Sequence, residues 1–226
     1  MQKWLIGIDE AGRGPLAGPV SVGVALVPCD FNWDLIPGVG DSKKVSPKKR
    51  EEIFKRAQVL KNEGKINFAV CMVSAKIIDK IGIVPSIKKA MNQALQKIHK
   101  QGFHTKEDPL YETHVQRKTL CTYKTLCTYT ECLVKLDGGL KAPKEYVHQE
   151  TIIKGDAKEK VIGFASIMAK VTRDRYMVKK AKEPGFGKYA FEVHKGYGTK
   201  IHRATIAQFG LSTEHRGTFC KNVKVW

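Results

Sequence analysis

The stretch Asp9-Glu10-Ala11-Gly12-Arg13-Gly14-Pro15-Leu16-Ala17-Gly18-Pro19 restricts what this chain can fold into more than any other. Trp4, Leu5, Ile6 and Ile8 precede it as a short apolar run, the pattern of a buried strand, and the run stops at two adjacent carboxylates. Gly12, Gly14, Pro15, Gly18 and Pro19 then crowd the turn, so the backbone there must take left-handed or close-approach conformations that a Cβ resists. Residues 20–27, valine-rich with small residues between, read as a second buried strand antiparallel to the first. The expectation is a hairpin-like core with an acidic pair at its exit.

Two neighbouring acids at a strand end repel when buried, and a cation or a shared proton relieves them. A hard divalent cation suits oxygen donors of this kind. Arg13 adds a planar fork of donors suited to a phosphodiester or a sugar hydroxyl lying close to the backbone. A plainer reading, in which Asp9 and Glu10 cap an ordinary turn, fits the same stretch taken alone.

A chain of 226 residues supports one sizeable core plus an extension. Its 40 Lys and Arg against 22 Asp and Glu give 40 − 22 = +18, which makes a polyanion, nucleic acid first, the natural partner. No stretch has the length of a spanning helix, no basic amphipathic helix stands out, and no signal-peptide pattern opens the chain, so a cytoplasmic protein is expected. Cys29, Cys71, Cys121, Cys127, Cys132 and Cys220 form no C-x-x-C pair and no zinc spacing with histidine, and reduced thiols are expected.

Ser46-Pro47 is an N-cap followed by a first-turn proline, predicting a helix to about Leu60. Asp41-Ser42-Lys43-Lys44 before it is a loop, either solvated or in contact with phosphate. Residues 65–73 read as a strand, and Ile87, Ala90, Met91, Ala94, Leu95 and Ile98 give residues 86–99 the buried stripe of a helix. The hexamer Lys-Thr-Leu-Cys-Thr-Tyr occurs twice in tandem, at 118–123 and 124–129, and marks 101–130 as an insertion; Tyr123 and Tyr129 among lysines also allow base stacking.

Residues 132–136 are apolar, end at Asp137 and lead into Gly138-Gly139, repeating the opening pattern. Functional groups gather where strands of an open α/β sheet end and their connections diverge, so Asp9 and Asp137 are expected to face each other. Asp156, beside Gly155, reads locally as a helix-start residue. Residues 159–182 have a broad apolar helical face, with Ser166, Lys170 and Arg173 along one side. Tyr197, between Gly196 and Gly198, is either a contact residue or part of a surface turn.

With these segments in view, the chain resembles the ribonuclease HII family, the type 2 ribonucleases H. The resemblance rests on residues 9–20, on Asp41-Ser42-Lys43-Lys44, on Asp137-Gly138, on Gly155-Asp156 ahead of residues 165–175, on Lys195-Gly196-Tyr197-Gly198-Thr199 and on His215-Arg216, all in the family order. It implies an α/β ribonuclease H-like fold: a mixed five-stranded sheet flanked by helices, with a helical C-terminal extension. Residues 1–182 would form the catalytic domain, with 101–130 as an insertion, and 183–226 an extension contributing to substrate binding. The implied activity is hydrolysis of the RNA strand of RNA/DNA hybrids and incision 5′ of ribonucleotides embedded in duplex DNA, leaving 5′-phosphomonoesters. Asp9, Glu10, Asp137 and Asp156 become the catalytic carboxylates holding Mg²⁺ or Mn²⁺, which overturns the local reading of Asp156. Substrate contacts are implied at Gly12, Arg13, Gly14, Lys43, Ser166, Lys170, Tyr197 and Arg216, with Gly12, Arg13, Gly14 and Tyr197 matching the elements that recognise the ribose 2′-hydroxyl. A monomer without a membrane partner is expected.

Two features depart from the family pattern: the 100–130 region is long, and Gly163-Phe164 replaces small alanines. Arg13, where ribonuclease HIII has lysine, favours this subgroup. Two cations about 4 Å apart supply the activated water, the phosphate clamp and the leaving-group stabilisation, so no serine, cysteine or histidine nucleophile is required. A resolvase-like or integrase-like nuclease would not need Gly12-Arg13-Gly14 and Tyr197. A non-catalytic nucleic-acid-binding module would account for the charge but not for three separate carboxylate positions at element ends.

Overall fold

The computed structural model describes residues 3–40, 44–101 and 129–221. Lys43, with Asp41 and Ser42, lies outside the described residues, as does the tandem hexamer apart from Tyr129.

Strand β1 (Trp4–Ala11) and strand β2 (Val20–Pro28) pair antiparallel, with Trp4 opposite Pro28 and Ala11 opposite Ser21. This is the expected hairpin, and it runs past the apolar stretch because Asp9 and Glu10 remain paired with Gly23 and Val22. β3 (Asn67–Val73) pairs antiparallel on the far side of β2. On the other side β4 (Cys132–Asp137) lies parallel to β1, and β5 (Gln149–Ile152) lies parallel to β4. The described sheet is therefore mixed, with five strands in the order β3-β2-β1-β4-β5.

Alternation along the strands divides the core in two. Ile6, Ile8, Val22 and Val24 face α3 (Ile83–Gln101), meeting Ile87, Ala90, Met91, Ala94 and Leu95. Ala25 and Val27 face α1 (Pro47–Asn62) and a long helix, meeting Ile53, Phe54 and Ala57 on the first and Val161, Phe164, Ala165 and Met168 on the second. Ser46 caps α1 as its sequence predicts, its Oγ accepting from the Lys49 amide at 3.2 Å. The short α2 (Ala75–Ile81) has no side-chain cap and ends at Gly82, with φ 84°.

The segment before the long helix is α4 (Gly155–Lys158), and the long helix itself is α5 (Lys160–Ala181). α5 rests on the sheet backbone to backbone. A Cβ on Gly7 would lie 2.2 Å from the Val161 carbonyl oxygen, and one on Gly23 would lie 2.2 Å from that of Ala165. Gly163, the departure noted above, has a similar cause: its Cβ would lie 2.7 Å from the carbonyl oxygens of both Asp156 and Gly40. A side chain at any of the three positions would push α5 away from the strands and loops that it aligns.

After α5 come α6 (Phe191–His194), α7 (Lys200–Phe209) and α8 (Gly217–Cys220). They fold back over the turn after β1, burying Ala17, Met177, Ala181, Tyr189 and Phe191 together. Cys29, Cys71 and Cys220 are free thiols as expected, whereas Cys132, buried at the start of β4, is disulfide-bonded, which corrects the expectation for that residue. Among the described residues no helix is long and apolar enough to cross a membrane.

Candidate active site

The last paired rung between the two central parallel strands joins Ile8 to Leu136, so the next residues, Asp9 and Asp137, stand side by side where the ladder ends. From here β1 turns toward β2 on one side and β4 leads toward β5 on the other, the kind of divergence at which open α/β sheets carry their sites. Asp9 shares its face with Gly7 and lies opposite Gly23, hence it points at α5. The close packing at those two glycines brings Ser166 within hydrogen-bonding reach of the Asp9 carboxylate. Asp156 arrives on α4, which is tied to Asp137 by the Gly155 amide donating to Asp137 Oδ1 at 2.7 Å.

The four carboxylates predicted from the sequence thus belong to one region. Asp9 is 5 % exposed and Asp156 4 % exposed, while Glu10 and Asp137 are half-buried. Burial pushes the Asp9 carboxyl up to about 8, with the charges of Glu10 and Asp137 adding to it against hydrogen bonds from Ser166 and the Glu10 amide. The latter bond is 2.7 Å long. Glu10 is also raised by burial, opposed by Arg13, whose Nη1 lies 3.3 Å from Glu10 Oε1. Among the described residues no three acidic, histidine or cysteine side chains already converge on one point. Hard oxygen donors crowded by like charge but not closed into a cage fit a small divalent cation that completes its shell with water and substrate phosphate.

Beside the carboxylates, Gly12 has φ 85°, and a Cβ there would fall 2.1 Å from Arg173 Nε. A Cβ on Gly14 would meet nothing within 4 Å, so the chain itself does not demand glycine at that position. Gly196 accepts hydrogen bonds from the Leu16 and Ala17 amides at 2.9 and 3.2 Å, which straps the Tyr197 segment to the glycine turn. Tyr197 is 42 % exposed, with Lys170 Nζ 5.4 Å and the Arg173 guanidinium 5.7 Å from its ring centroid. Lys170 also pairs with Asp174 at 2.9 Å. Apart from glycines, only Lys154, Ala190 and Lys195 among the described residues adopt positive φ, and two of them immediately precede Gly155-Asp156 and Gly196-Tyr197. Strained backbone of this sort collects at functional sites.

Two of the expected substrate contacts are buried and bonded within the chain. Ser166 is 4 % exposed and engages Asp9 rather than the surface. Arg216 is fully buried and donates to the carbonyl oxygens of Gly18, Arg13 and Gly12 at 3.0, 3.0 and 2.6 Å. Its equally buried neighbour Arg173, which the sequence marks only as one more residue on a helix side, donates to Pro19, Lys195 and Ala17 at 2.8, 2.9 and 3.0 Å.

A mixed sheet in this order, with acids at the ends of its two central parallel strands and a long helix packed against them, is the arrangement of the ribonuclease H-like fold. The family model for ribonuclease HII matches residues 6–222, and the chain belongs to that family. A ribonuclease HII from Endomicrobium trichonymphae is 39 % identical over 213 residues, covering 94 % of this chain and 83 % of the relative. Among solved structures, the ribonuclease H2 from Pyrococcus horikoshii matches with a TM-score of 0.62 at 23 % identity, over 97 % of this chain and 96 % of that one. Bst-RNase HIII in complex with Mn²⁺ matches with a TM-score of 0.59 at 16 % identity, over 95 % of this chain and 66 % of that one. The protein is accordingly a divalent-metal-dependent endonuclease acting on the RNA of RNA/DNA hybrids.

Proposed function

We propose that this enzyme also incises duplex DNA on the 5′ side of a single embedded ribonucleotide, using two Mg²⁺ or Mn²⁺ ions held by Asp9, Glu10, Asp137 and Asp156. Bound there, such ions supply an activated water and charge stabilisation at the phosphate and the leaving oxygen. The chain's own part is to set the ligands. The Gly155 amide fixes one Asp137 oxygen, Ser166 fixes the Asp9 carboxylate, and Arg13 restrains Glu10. Residues 183–226 act as a substrate-binding extension that contributes Tyr197, and the enzyme works as a monomer.

The observation that carries the reading is the strap between Gly196 and residues 16–17, which holds exposed Tyr197 to the turn that contains Gly12, Arg13 and Gly14. Only a 2′-hydroxyl separates a ribonucleotide from its deoxy neighbours. The missing Cβ at Gly12 makes room for Arg173 behind the turn, while the open space at Gly14 leaves room for a sugar from outside the chain to come close to the amides there. The Tyr197 ring can then stack on the following deoxyribose, where a second 2′-hydroxyl would clash.

The test compares cleavage of a duplex bearing one ribonucleotide with cleavage of a continuous hybrid, at equal salt and Mg²⁺. Tyr197→Ala is expected to slow the first by over about tenfold, about 1.4 kcal/mol in the transition state, and the second by less. No incision of the first substrate by the native enzyme overturns the reading. Equal losses on both reduce Tyr197 to a general contact.

A further inference from the structure

We propose that Arg216 and Arg173 are positioning residues: they turn the peptide units of the glycine loop so that its amides face the substrate, and thereby set the preference for a lone ribonucleotide. This rests on the reading that Gly12, Gly14 and Tyr197 sense the 2′-hydroxyl.

The two guanidinium groups together take six carbonyl oxygens, those of Gly12, Arg13, Ala17, Gly18, Pro19 and Lys195. Five of the six belong to the turn after β1, which therefore wraps around the pair. In a planar trans peptide the carbonyl of one residue and the amide of the next point in opposite directions. Drawing the carbonyls of Gly12 and Arg13 inward to Arg216 consequently turns the amides of Arg13 and Gly14 outward. Neither amide meets an acceptor among the described residues. The remaining bond, from Arg173 to Lys195, ties the same cluster to the residue before Gly196-Tyr197, so the outward amides and the tyrosine are held at one separation.

Neither guanidinium forms an ion pair with a carboxylate among the described residues; both are met by carbonyl dipoles. Burying two such charges is costly, and apolar side chains of similar volume usually serve stability as well or better. Burial and the neighbouring Arg173 push the Arg216 guanidinium down to about 9. What an apolar pair cannot do is aim carbonyls from five turn residues at once. A lysine cannot do it either, because its donors radiate from one nitrogen whereas the guanidinium spreads its donors across a rigid fork.

The experiment uses the full chain with Arg216→Lys, Arg216→Ala and Arg173→Lys, measuring the ratio of the lone-ribonucleotide rate to the continuous-hybrid rate at saturating Mg²⁺. Thermal melts run in parallel. The expected result is a fall of about tenfold or more in that ratio for each folded variant, with hybrid cleavage reduced less. Guanidinium ion at sub-denaturing concentration should restore the ratio in Arg216→Ala, by filling the space the side chain leaves, and should do nothing for Arg216→Lys. A ratio equal to the native one in either lysine variant overturns the proposal. So do equal losses on both substrates that guanidinium leaves unchanged, or failure of all three variants to melt cooperatively, since each shows a structural role alone. A native enzyme unable to incise at a lone ribonucleotide overturns the functional reading and this proposal with it, whereas native incision with an unaltered variant ratio overturns only this one.

Discussion

Asp9 reaches a pKa of about 8 because it is buried beside two other acids, so in the metal-free fold it keeps its proton at neutral pH. A carboxyl raised in the fold contributes stability that is fully present below its unfolded value of about 3.9 and is lost as pH rises through the folded one. This contribution to the melting temperature of the metal-free protein should therefore decline between about pH 4 and pH 8, and Asp9→Asn, neutral throughout, should remove that decline. Cation binding must displace the same proton. Titration of Mg²⁺ at neutral pH by calorimetry, in two buffers of different ionisation heat, should register proton release in the native protein and not in Asp9→Asn. For catalysis the expectation is severe: Asp9→Asn and Asp137→Asn should each lose about a hundredfold or more, because an amide is a poor ligand for a hard cation. Hybrid binding, followed by fluorescence anisotropy, should hold or tighten, since one negative charge has left a surface that receives a polyanion. Activity of Asp137→Asn within a few-fold of native across a Mg²⁺ titration would remove that residue from the site.

The contact of α5 with the sheet is set by Gly7 and Gly23, and its energetic test follows from the distances. Gly23→Ala puts a methyl 2.2 Å from a backbone oxygen that cannot swing away, so α5 must shift. A cost of about 1–3 kcal/mol is expected in urea denaturation, together with slower cleavage as Ser166 withdraws from Asp9. Unchanged stability and rate would mean that the helix has slack there. This contact was not legible in the sequence, where glycine inside a strand reads as a weakness rather than as a landing place for a helix. The elements with local signals were legible: the apolar run of β1, the Ser46-Pro47 start of α1 and the periodic stripe of α3. α2 was missed because seven residues without a side-chain cap carry little pattern. Asp9, Glu10 and Asp137 stand out at strand ends in the sequence, but Asp156 is singled out only by the family resemblance, since its tie to Asp137 is a hydrogen bond from the neighbouring Gly155 amide across 18 residues. Arg216 was legible only as a substrate contact implied by the resemblance, because the oxygens that accept from it are gathered from the other end of the chain.

At the scale of the whole molecule, the titration of Asp9 is opposed by that of two buried histidines. His202 and His215 are buried with their Nε2 atoms 3.0 Å apart, and His194 stacks on His202 at 4.2 Å between ring centroids. Burial lowers both His202 and His215 to about 4. A histidine depressed in the fold contributes stability that is present above its unfolded value of about 6.5 and is lost as pH falls toward the folded one. Melting temperature should drop between about pH 6.5 and 4, and a His202→Gln, His215→Gln double variant should make the drop shallower. A profile flat down to pH 4 in the native enzyme would show that the histidines titrate freely. His215 bridges to Ala17 and adjoins Arg216, so acid should loosen the C-terminal segment and the glycine turn together. The same long-range tie matters while the protein is being made. Gly12 and Arg216 are 204 residues apart, and the catalytic strands leave the ribosome well before the arginine that orients the turn. If Arg216 sets the discrimination proposed above, a nascent chain arrested short of residue 216 should carry its acids without the means to tell one sugar from another, and discrimination would be the last property to form.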